Sequence, residues 1–265
     1  MTTAGRVAEW EPGDAGPGLP GNGPGRRRRH RGRWAAGWLA GFCLVCLGGA
    51  AAANTVTPSV SGAGTLVRSQ DAQHHVGNPS GPVPARFSGA LVATEDHRFY
   101  SIPGIDPIAL GRGVAGDVVG RDLGGSTLSM QLAKMLYTPG SDGLQAKAEQ
   151  AVLAVKLNMS YSKARILRMY ANVVYFGGGY YGLNAASCGY FGVQPAALSL
   201  GQAAVLAGLV QSPSGYDPRV HPVLAREREA HVLGRMVATG RISSRQAKAA
   251  LAAPLQVQAA GPGCR

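Results

Sequence analysis

The chain has 265 residues, enough for one good-sized domain with flanking segments, and 45% of them are hydrophobic, as in an ordinary globular core. The formal net charge of +12 is unusual and favours a phosphate-rich or anionic-membrane partner. The cysteines exclude a disulfide framework, since Cys43 and Cys46 lie in an apolar run and Cys188 and Cys264 are far apart in sequence. Two alternatives stay open for Cys188 and Cys264: two unpaired thiols, or a disulfide between them.

The first 53 residues predict a membrane anchor. Residues 1–33 are rich in Gly, Pro and Arg and are predicted to form a disordered basic tail. Residues 34–53 carry no charge and have the length of one membrane-spanning helix. Because the arginines precede this segment, we expect the N-terminus in the cytoplasm and the remainder of the chain outside the cell membrane. A long cleavable signal peptide that ends in the alanines at 50–53 is the alternative.

The remainder predicts one mainly α domain at residues 85–255. Strand-type alternation is nearly absent from it, and several helix starts carry a serine cap. Residues 54–84 are predicted to be a polar spacer with a short extended piece near Leu66–Val67, and residues 256–265 a C-terminal tail. The expected helices and caps are Ser126 before Thr127–Tyr137, Leu144–Met159, Ser162 before Lys163–Asn172, and the capping boxes Ser199/Gln202 and Ser243/Gln246.

Two carboxylates beside apolar residues are candidates for catalysis. They are Glu95 and Glu149, and paired carboxylates suit chemistry at a glycosidic carbon, where one takes a proton from a sugar hydroxyl. Roles at helix ends are the structural alternative for both. The remaining glutamates after residue 85, Glu227 and Glu229, alternate with arginines and predict a solvated helix face. The lysines that could hold an anionic leaving group, if they are not simply solvated, are Lys134, Lys147, Lys156 and Lys163.

Four groups of residues follow one another between about residues 85 and 245. They are Glu95-Asp96-x-x-Phe99 with Gly104-Ile105-Asp106, then Gly124-Gly125-Ser126-Thr127 with Gln131-Leu132-Ala133-Lys134, then Glu149, and finally Lys163 with Tyr170-x-Asn172 and Tyr175-Phe176-Gly177. In this order they resemble the motifs of the peptidoglycan glycosyltransferase family, glycosyltransferase family 51, whose domain polymerises lipid II in bacterial cell walls.

The resemblance implies a lysozyme-like helical fold and an inverting hexosyl transfer that builds β-1,4 glycan strands from lipid II and releases polyprenyl diphosphate. It implies two catalytic residues: Glu95 as the general base, and Glu149 organising the diphosphate directly or through a divalent cation, Mg²⁺ or Mn²⁺. No residue is assigned as a metal ligand. The implied substrate-binding residues are Asp96, Phe99, Gly125, Ser126, Thr127, Gln131, Lys134, Lys163 and Asn172.

The same resemblance implies lipid II, the growing glycan strand and membrane lipid as partners, with transpeptidases of the cell-wall machinery as further candidates. It places residues 100–123 at the family's mobile, membrane-facing segment, with Ile105, Ile108, Leu110 and Val114 facing lipid. Since no serine–lysine acyl-enzyme motif is found, we expect glycan polymerisation without peptide cross-linking, by a single-pass cell-membrane protein whose catalytic domain is extracytoplasmic.

Several positions depart from the family pattern. Ile102 stands where a histidine is usual, Met130 where a glutamine is usual, and Gln145 and Ala146 replace an arginine–lysine pair. Lys147 replaces that pair only in part, because a shift of one residue rotates a helical side chain by about 100°. A catalytically weak homologue that binds lipid-linked precursor or glycan as a scaffold is therefore the alternative function. The lysines expected to bind diphosphate argue against a glycan hydrolase. The aromatic residues cluster with glycines and do not alternate with lysines, which argues against a nucleic-acid binder.

Overall fold

The structure, a computed structural model, describes residues 55–75, 77, 81–118 and 125–259. Over these residues no helix is both long enough and apolar enough to cross a membrane. The predicted basic tail at 1–33, the predicted membrane helix at 34–53 and the end of the predicted tail at 260–265 lie outside the described residues. The side chains of Leu110 and Val114, which the resemblance places against lipid, also lie outside them.

The described residues form a mainly α domain, which confirms the predicted helical class. Among these residues, β-type pairing is limited to one isolated antiparallel bridge, between Tyr175 and Tyr181. The α-helices are α1 (Ala63–Gln73), α2 (Ala85–Glu95), α3 (Pro107–Val118), α4 (Leu128–Tyr137), α5 (Leu144–Ser160), α6 (Lys163–Val173), α7 (Leu183–Phe191), α8 (Leu200–Leu209), α9 (Pro222–Ala238) and α10 (Ser244–Ala252). A 3₁₀ turn at Pro195–Ala197 lies between α7 and α8.

The centre of the core is α8. This helix is buried from Gly201 to Leu209, as expected of a helix that is apolar on all sides. It packs against α2 and α9, and α2 also contacts α9. A second group joins α4 to α5 and α6. The candidate site residues on α2, α4, α5 and α6 are therefore held by packed helices, which position side chains more firmly than loops do.

The predicted helix starts are largely confirmed, with one correction. The hydroxyls of Ser162, Ser199 and Ser243 accept hydrogen bonds from backbone N–H groups of the first turns, and the last two form complete capping boxes. Ser126 does not cap α4. Thr127 does, because its Oγ1 accepts from the backbone N of Met130 at 3.2 Å and donates to the carbonyl of Gly104 at 2.6 Å. The hydrogen bond to Gly104 favours Thr127 over Ser126 as the cap, because it connects the start of the helix to the preceding loop.

The segment around Leu66–Val67 is helical, so the predicted extended piece is wrong. Ala63, Val67 and Asp71 are buried and lie at i, i+4 and i+8, which places them on one face of α1. This face packs against α6 and α4, and Gln70 Nε2 donates to the carbonyl of Met135 at 2.9 Å. Residues 63–73 of the predicted spacer therefore contribute to the folded core.

Cys188 in α7 is disulfide-bonded, and its partner lies outside the described residues. The alternative of two unpaired thiols is therefore wrong for this cysteine.

Candidate active site

Glu95 is the last residue of α2 and follows the buried run Ala90–Ala93. Its carboxylate is 14% exposed. Glu95 Oε2 accepts a hydrogen bond from Gln131 Nε2 at 3.0 Å, and Gln131 Oε1 in turn accepts from the hydroxyl of Tyr170 at 2.7 Å. Burial, together with the negative charge of Glu95, raises the pKa of Tyr170 well above its usual value, so this hydroxyl stays protonated and donates. Side chains from α4 and α6 thus fix the orientation of Glu95.

The other carboxylate oxygen of Glu95 faces Arg228 of α9. Arg228 Nη2 lies 3.7 Å from Glu95 Oε1, and the arginine side chain is 11% exposed. The prediction of a solvated face for this stretch is wrong for Arg228 and for Glu229, which is fully buried and paired with Arg226. Glu227 is exposed as predicted. The burial of Glu229 could have been predicted from a helical spacing, because the buried face of α9 consists of Ala225, Glu229, Val232, Leu233 and Met236.

Asp96, Phe99 and Lys163 form a second cluster, called here the Lys163 cluster. Lys163 Nζ lies 4.6 Å above the Phe99 ring and donates to the carbonyl of Ile102 at 2.5 Å. Asp96 Oδ2 accepts from the backbone N of Leu128 at 3.2 Å, so this carboxylate joins the end of α2 to the start of α4. Burial raises the pKa of Asp96 to about 6, although the Leu128 N–H and the charge of Lys163 oppose that rise. Burial also lowers the pKa of Lys163.

The raised pKa of Asp96 predicts a pH-dependent stability. The folded protein holds this proton up to about pH 6, whereas the unfolded chain releases it near pH 4, so stability falls as the pH rises between these values. Asp96→Asn keeps an acceptor for the Leu128 N–H and removes this titration. We expect the variant to melt a few degrees above the parent at pH 7 and to lose less stability between pH 4.5 and 6.5, as measured by thermal melts.

Glu227→Gln, at an exposed glutamate of α9, is the matched control and should leave the slope of melting temperature against pH unchanged. A parent protein whose stability changes through pH 4.5–6.5 with the same slope as that of Asp96→Asn would show that Asp96 is ionised throughout.

An open cavity of about 240 Å³ lies between α3 and the first turns of α4 and α5, and is called here the Ser126 cavity. Among its lining residues Ser126 and Lys147 carry polar side chains, and the remainder are glycines or apolar residues. A Cβ at Gly125 would lie 2.6 Å from the Cα of Gly113, so glycine at 125 is required for α3 to cross this closely. The lining residues are Gly113, Gly125, Ser126, Met130, Leu144, Lys147, Ala148 and Ala151.

The positions that depart from the family pattern lie around this cavity. Gln145 is exposed and Ala146 is 8% exposed, whereas Lys147 lines the cavity. Of these three neighbouring positions of α5, the lysine is therefore the one beside the cavity. Met130 also lines it and presents a thioether where the family has an amide.

Four predicted site residues lie outside these groups. Thr127 is the cap of α4. Lys134 pairs with Asp142 at 2.5 Å, and both side chains are exposed. Glu149 is half-buried on α5 and is not among the residues that line the Ser126 cavity. Asn172 is buried and lines a different cavity of about 190 Å³, beside Arg168 and Pro82–Pro84.

The donor set does not fit a resident divalent cation. Such ions prefer several oxygen ligands, and the part of the chain that the structure describes contains no group of three or more His, Cys, Asp or Glu side chains able to hold one. The lining of the Ser126 cavity contributes one serine and one lysine and no carboxylate. No chemical step is therefore assigned to a cation held by the protein alone.

Fold and site together define a helical domain with an oriented carboxylate at a helix end, a helix N-terminus and a cavity that holds a lysine. Residues 63–237 match the family model described as transglycosylase. The chain belongs to this transglycosylase family, glycosyltransferase family 51.

Similar proteins include penicillin-binding protein 1F of Bacillus subtilis, 39% identical over 167 residues that cover 62% of this chain and 23% of that protein. Penicillin-binding protein 1A of Aquifex aeolicus is 40% identical over 181 residues, with coverages of 66% and 24%. A Cupriavidus necator protein described as a transglycosylase is 38% identical over 181 residues, with coverages of 68% and 78%. The chain therefore spans about a quarter of the length of the first two relatives and more than three quarters of the third.

Proposed function

We propose that this protein is a peptidoglycan glycosyltransferase that polymerises lipid II into β-1,4 glycan strands and releases polyprenyl diphosphate. The observation that carries the proposal is the Glu95 carboxylate, held between Gln131 of α4 and Arg228 of α9. Helix α4 orients Glu95 through Gln131. Met130 of the same helix and Ser126, which lies just before the helix, line the Ser126 cavity. A general base and an anion-binding space are thus positioned by one helix.

In the proposed reaction Glu95 takes the proton from the acceptor's sugar hydroxyl. The hydroxyl oxygen then forms a bond to the anomeric carbon of the donor, the bond from that carbon to the diphosphate oxygen breaks, and the diphosphate leaves with the electron pair. Attack opposite the leaving group inverts the configuration at the anomeric carbon. The base must be ionised and oriented before the hydroxyl arrives, and the contacts from α4 and α9 support both requirements.

The Ser126 cavity is the proposed place of the leaving diphosphate. The Ser126 hydroxyl and the positive charge of Lys147 would neutralise charge that develops on the leaving oxygen. In the proposed reaction Glu149, on α5, helps to organise the diphosphate end of the donor. A divalent cation at the diphosphate stays part of the proposal as an ion that enters with the substrate.

Two exposed side chains near the Lys163 cluster support a substrate that stays in a bilayer. Ile108 at the start of α3 is 60% exposed and Tyr100 in the preceding loop is 54% exposed, so both present apolar surface beside the site. The proposed location is the extracytoplasmic face of the cell membrane, with lipid II, the glycan strand and membrane lipid as partners. Transpeptidases are proposed partners, since peptide cross-linking is not part of the proposed reaction.

A scaffold that binds lipid-linked precursor without rapid turnover is the second candidate. It is favoured by one observation: Lys134, expected to bind diphosphate, is paired with Asp142, while Gln145 and Ala146 supply no cation. A protein with few available cations at the donor site would bind the precursor and release product slowly.

The test is a polymerisation assay with the full-length protein in detergent and fluorescent lipid II. Glycan strands are separated by gel electrophoresis, and binding of lipid II is measured in parallel by fluorescence anisotropy. We expect strands that lengthen with time. Tight binding without strands would support the scaffold instead, and the absence of both would contradict both functions.

A further inference from the structure

Residues 55–61 are held against the junction of α5 and α6. Lys156 Nζ, in α5, donates to the carbonyl of Thr57 at 3.0 Å. The hydroxyl of Tyr161, which lies between the two helices, donates to the carbonyl of Val60 at 2.9 Å. The segment that precedes α1 is therefore fixed to this junction by contacts from both of its ends.

The junction lies close to the end of the predicted membrane-spanning segment. That segment, residues 34–53, ends two residues before Thr55, and two residues of extended chain span about 7 Å. The headgroup layer on one side of a bilayer has a similar thickness. When residues 34–53 span the membrane, the junction of α5 and α6 therefore lies at its outer surface.

Two exposed apolar side chains and two arginines lie at this junction, and the four are called here the Met159 corner. Met159, in the last turn of α5, and Val56 are each 84% exposed. The arginines are Arg68 of α1 and Arg165 of α6, both exposed. A Cβ at Gly64 would lie 3.5 Å from Nη2 of Arg165 and 3.9 Å from Nη1 of Arg68, so the two guanidinium groups reach the same point of α1.

Neutral neighbours hold both arginines. Arg68 Nη2 donates to the hydroxyl of Thr65 at 2.9 Å, and the guanidinium carbon of Arg165 lies 5.0 Å from the centre of the Tyr161 ring. Among the described residues neither arginine forms a salt bridge with a carboxylate. Two positive charges are thus brought together without being neutralised. Phosphate groups suit such a pair, because a guanidinium binds phosphate oxygens through two parallel hydrogen bonds.

We propose that the Met159 corner docks the domain on the outer face of the cell membrane by binding anionic phospholipids. Arg68 and Arg165 contact the phosphate groups. Val56 and Met159 enter the boundary between headgroups and acyl chains, as apolar side chains of interfacial segments do. The inference rests on the proposed function, which places the domain at this membrane surface.

Docking at this corner would bring the candidate site to a substrate that a lipid carries. Lys163 lies two residues before Arg165, and its Nζ donates to the carbonyl of Ile102 at 2.5 Å. The loop that contains Ile102 also carries the exposed Tyr100. The start of α6 therefore connects the Met159 corner to the Lys163 cluster and to the apolar surface at Tyr100. A domain docked at both places would present Lys163 at the level of the headgroups.

The test measures the depth of the corner in the bilayer, with the full-length protein in vesicles of equal parts phosphatidylcholine and phosphatidylglycerol. Ser160→Trp places a fluorescent reporter beside Met159, and Ala252→Trp is its matched control, because both residues are exposed and end a helix. Both variants keep the three native tryptophans, so their difference reports the introduced ring. We expect lipids brominated on the acyl chains to quench Ser160→Trp more strongly than Ala252→Trp.

The arginines are tested by Arg68→Gln/Arg165→Gln in the Ser160→Trp protein. A basic side chain near an anionic surface contributes about fivefold, so loss of both should lower the docking equilibrium by about 25-fold and bring quenching down to the level of Ala252→Trp. Arg241→Gln/Arg245→Gln removes two exposed arginines elsewhere and should leave quenching unchanged. In vesicles of phosphatidylcholine alone, quenching of Ser160→Trp should be weak with or without the two arginines.

Equal quenching of Ser160→Trp and Ala252→Trp would overturn the proposal. Quenching that does not depend on phosphatidylglycerol would also overturn it, and would leave the arginines to an occupant other than lipid. The measurement does not need activity. A protein that docks as expected but makes no polymer would refute the proposed function and leave the docking surface intact, whereas polymerisation without docking would refute the surface alone.

Discussion

Replacing Glu95 by glutamine is expected to lower the rate of lipid II polymerisation by about 10²- to 10⁴-fold, the usual contribution of a general base. Glutamine keeps the shape of the side chain and an oxygen that can accept from Gln131 Nε2, so the hydrogen bond to α4 survives. What disappears is the ability to take the proton. The measurement is the initial rate of lipid II consumption by equal amounts of folded parent and variant.

The control for this substitution is Glu227→Gln, which removes an exposed carboxylate of α9 and should leave the rate unchanged. Binding of lipid II and the melting temperature should be close to the parent's in both variants, because neither substitution changes packing. A Glu95→Gln variant with near-normal turnover would require a different base.

Replacing Lys147 by methionine is expected to lower kcat by about 10²-fold, the effect of removing one group that stabilises charge in a transition state. Methionine keeps the apolar stem of the side chain, so the wall of the Ser126 cavity is preserved while the positive charge is lost. The effect on KM should be smaller, because charge on the leaving oxygen grows as the bond breaks. Steady-state kinetics with lipid II separate the two quantities.

Lys248→Met, at an exposed lysine of α10, is the control for loss of one positive charge and should leave both constants unchanged. Equal losses in kcat and in binding of lipid II would mean that Lys147 holds the substrate before reaction. No loss would mean that other groups hold the diphosphate and that this lysine does not replace the missing arginine–lysine pair.

Capping residues and apolar periodicity predicted most of the helices. The hydroxyls of Ser162, Ser199 and Ser243 act locally, on backbone groups three residues away, so the sequence contains all the information that they need. The start of α4 was placed one residue early, because the choice between Ser126 and Thr127 depends on the carbonyl of Gly104, which only the folded chain brings near.

Long-range contacts account for what the sequence did not predict. The α1 helix is short and polar, and its buried face of Ala63, Val67 and Asp71 becomes evident only when α4 and α6 cover it. Arg228 was assigned to solvent because charge alternates around it, yet α9 turns it toward Glu95, which lies 133 residues earlier in the chain. The four groups of residues that resemble the family's motifs contain Glu95 and Gln131 but not the arginine opposite Glu95.

The account depends on Glu95 acting as a base for glycan transfer, and one measurement tests this most directly. Full-length parent and Glu95→Gln are incubated with lipid II across pH 5 to 9, and released polyprenyl diphosphate is counted against new glycosidic bonds. We predict one diphosphate for each bond in the parent, a rate that falls at acidic pH as Glu95 is protonated, and a variant with almost no turnover at any pH. Equal rates and equal pH profiles for the two proteins would contradict the assignment.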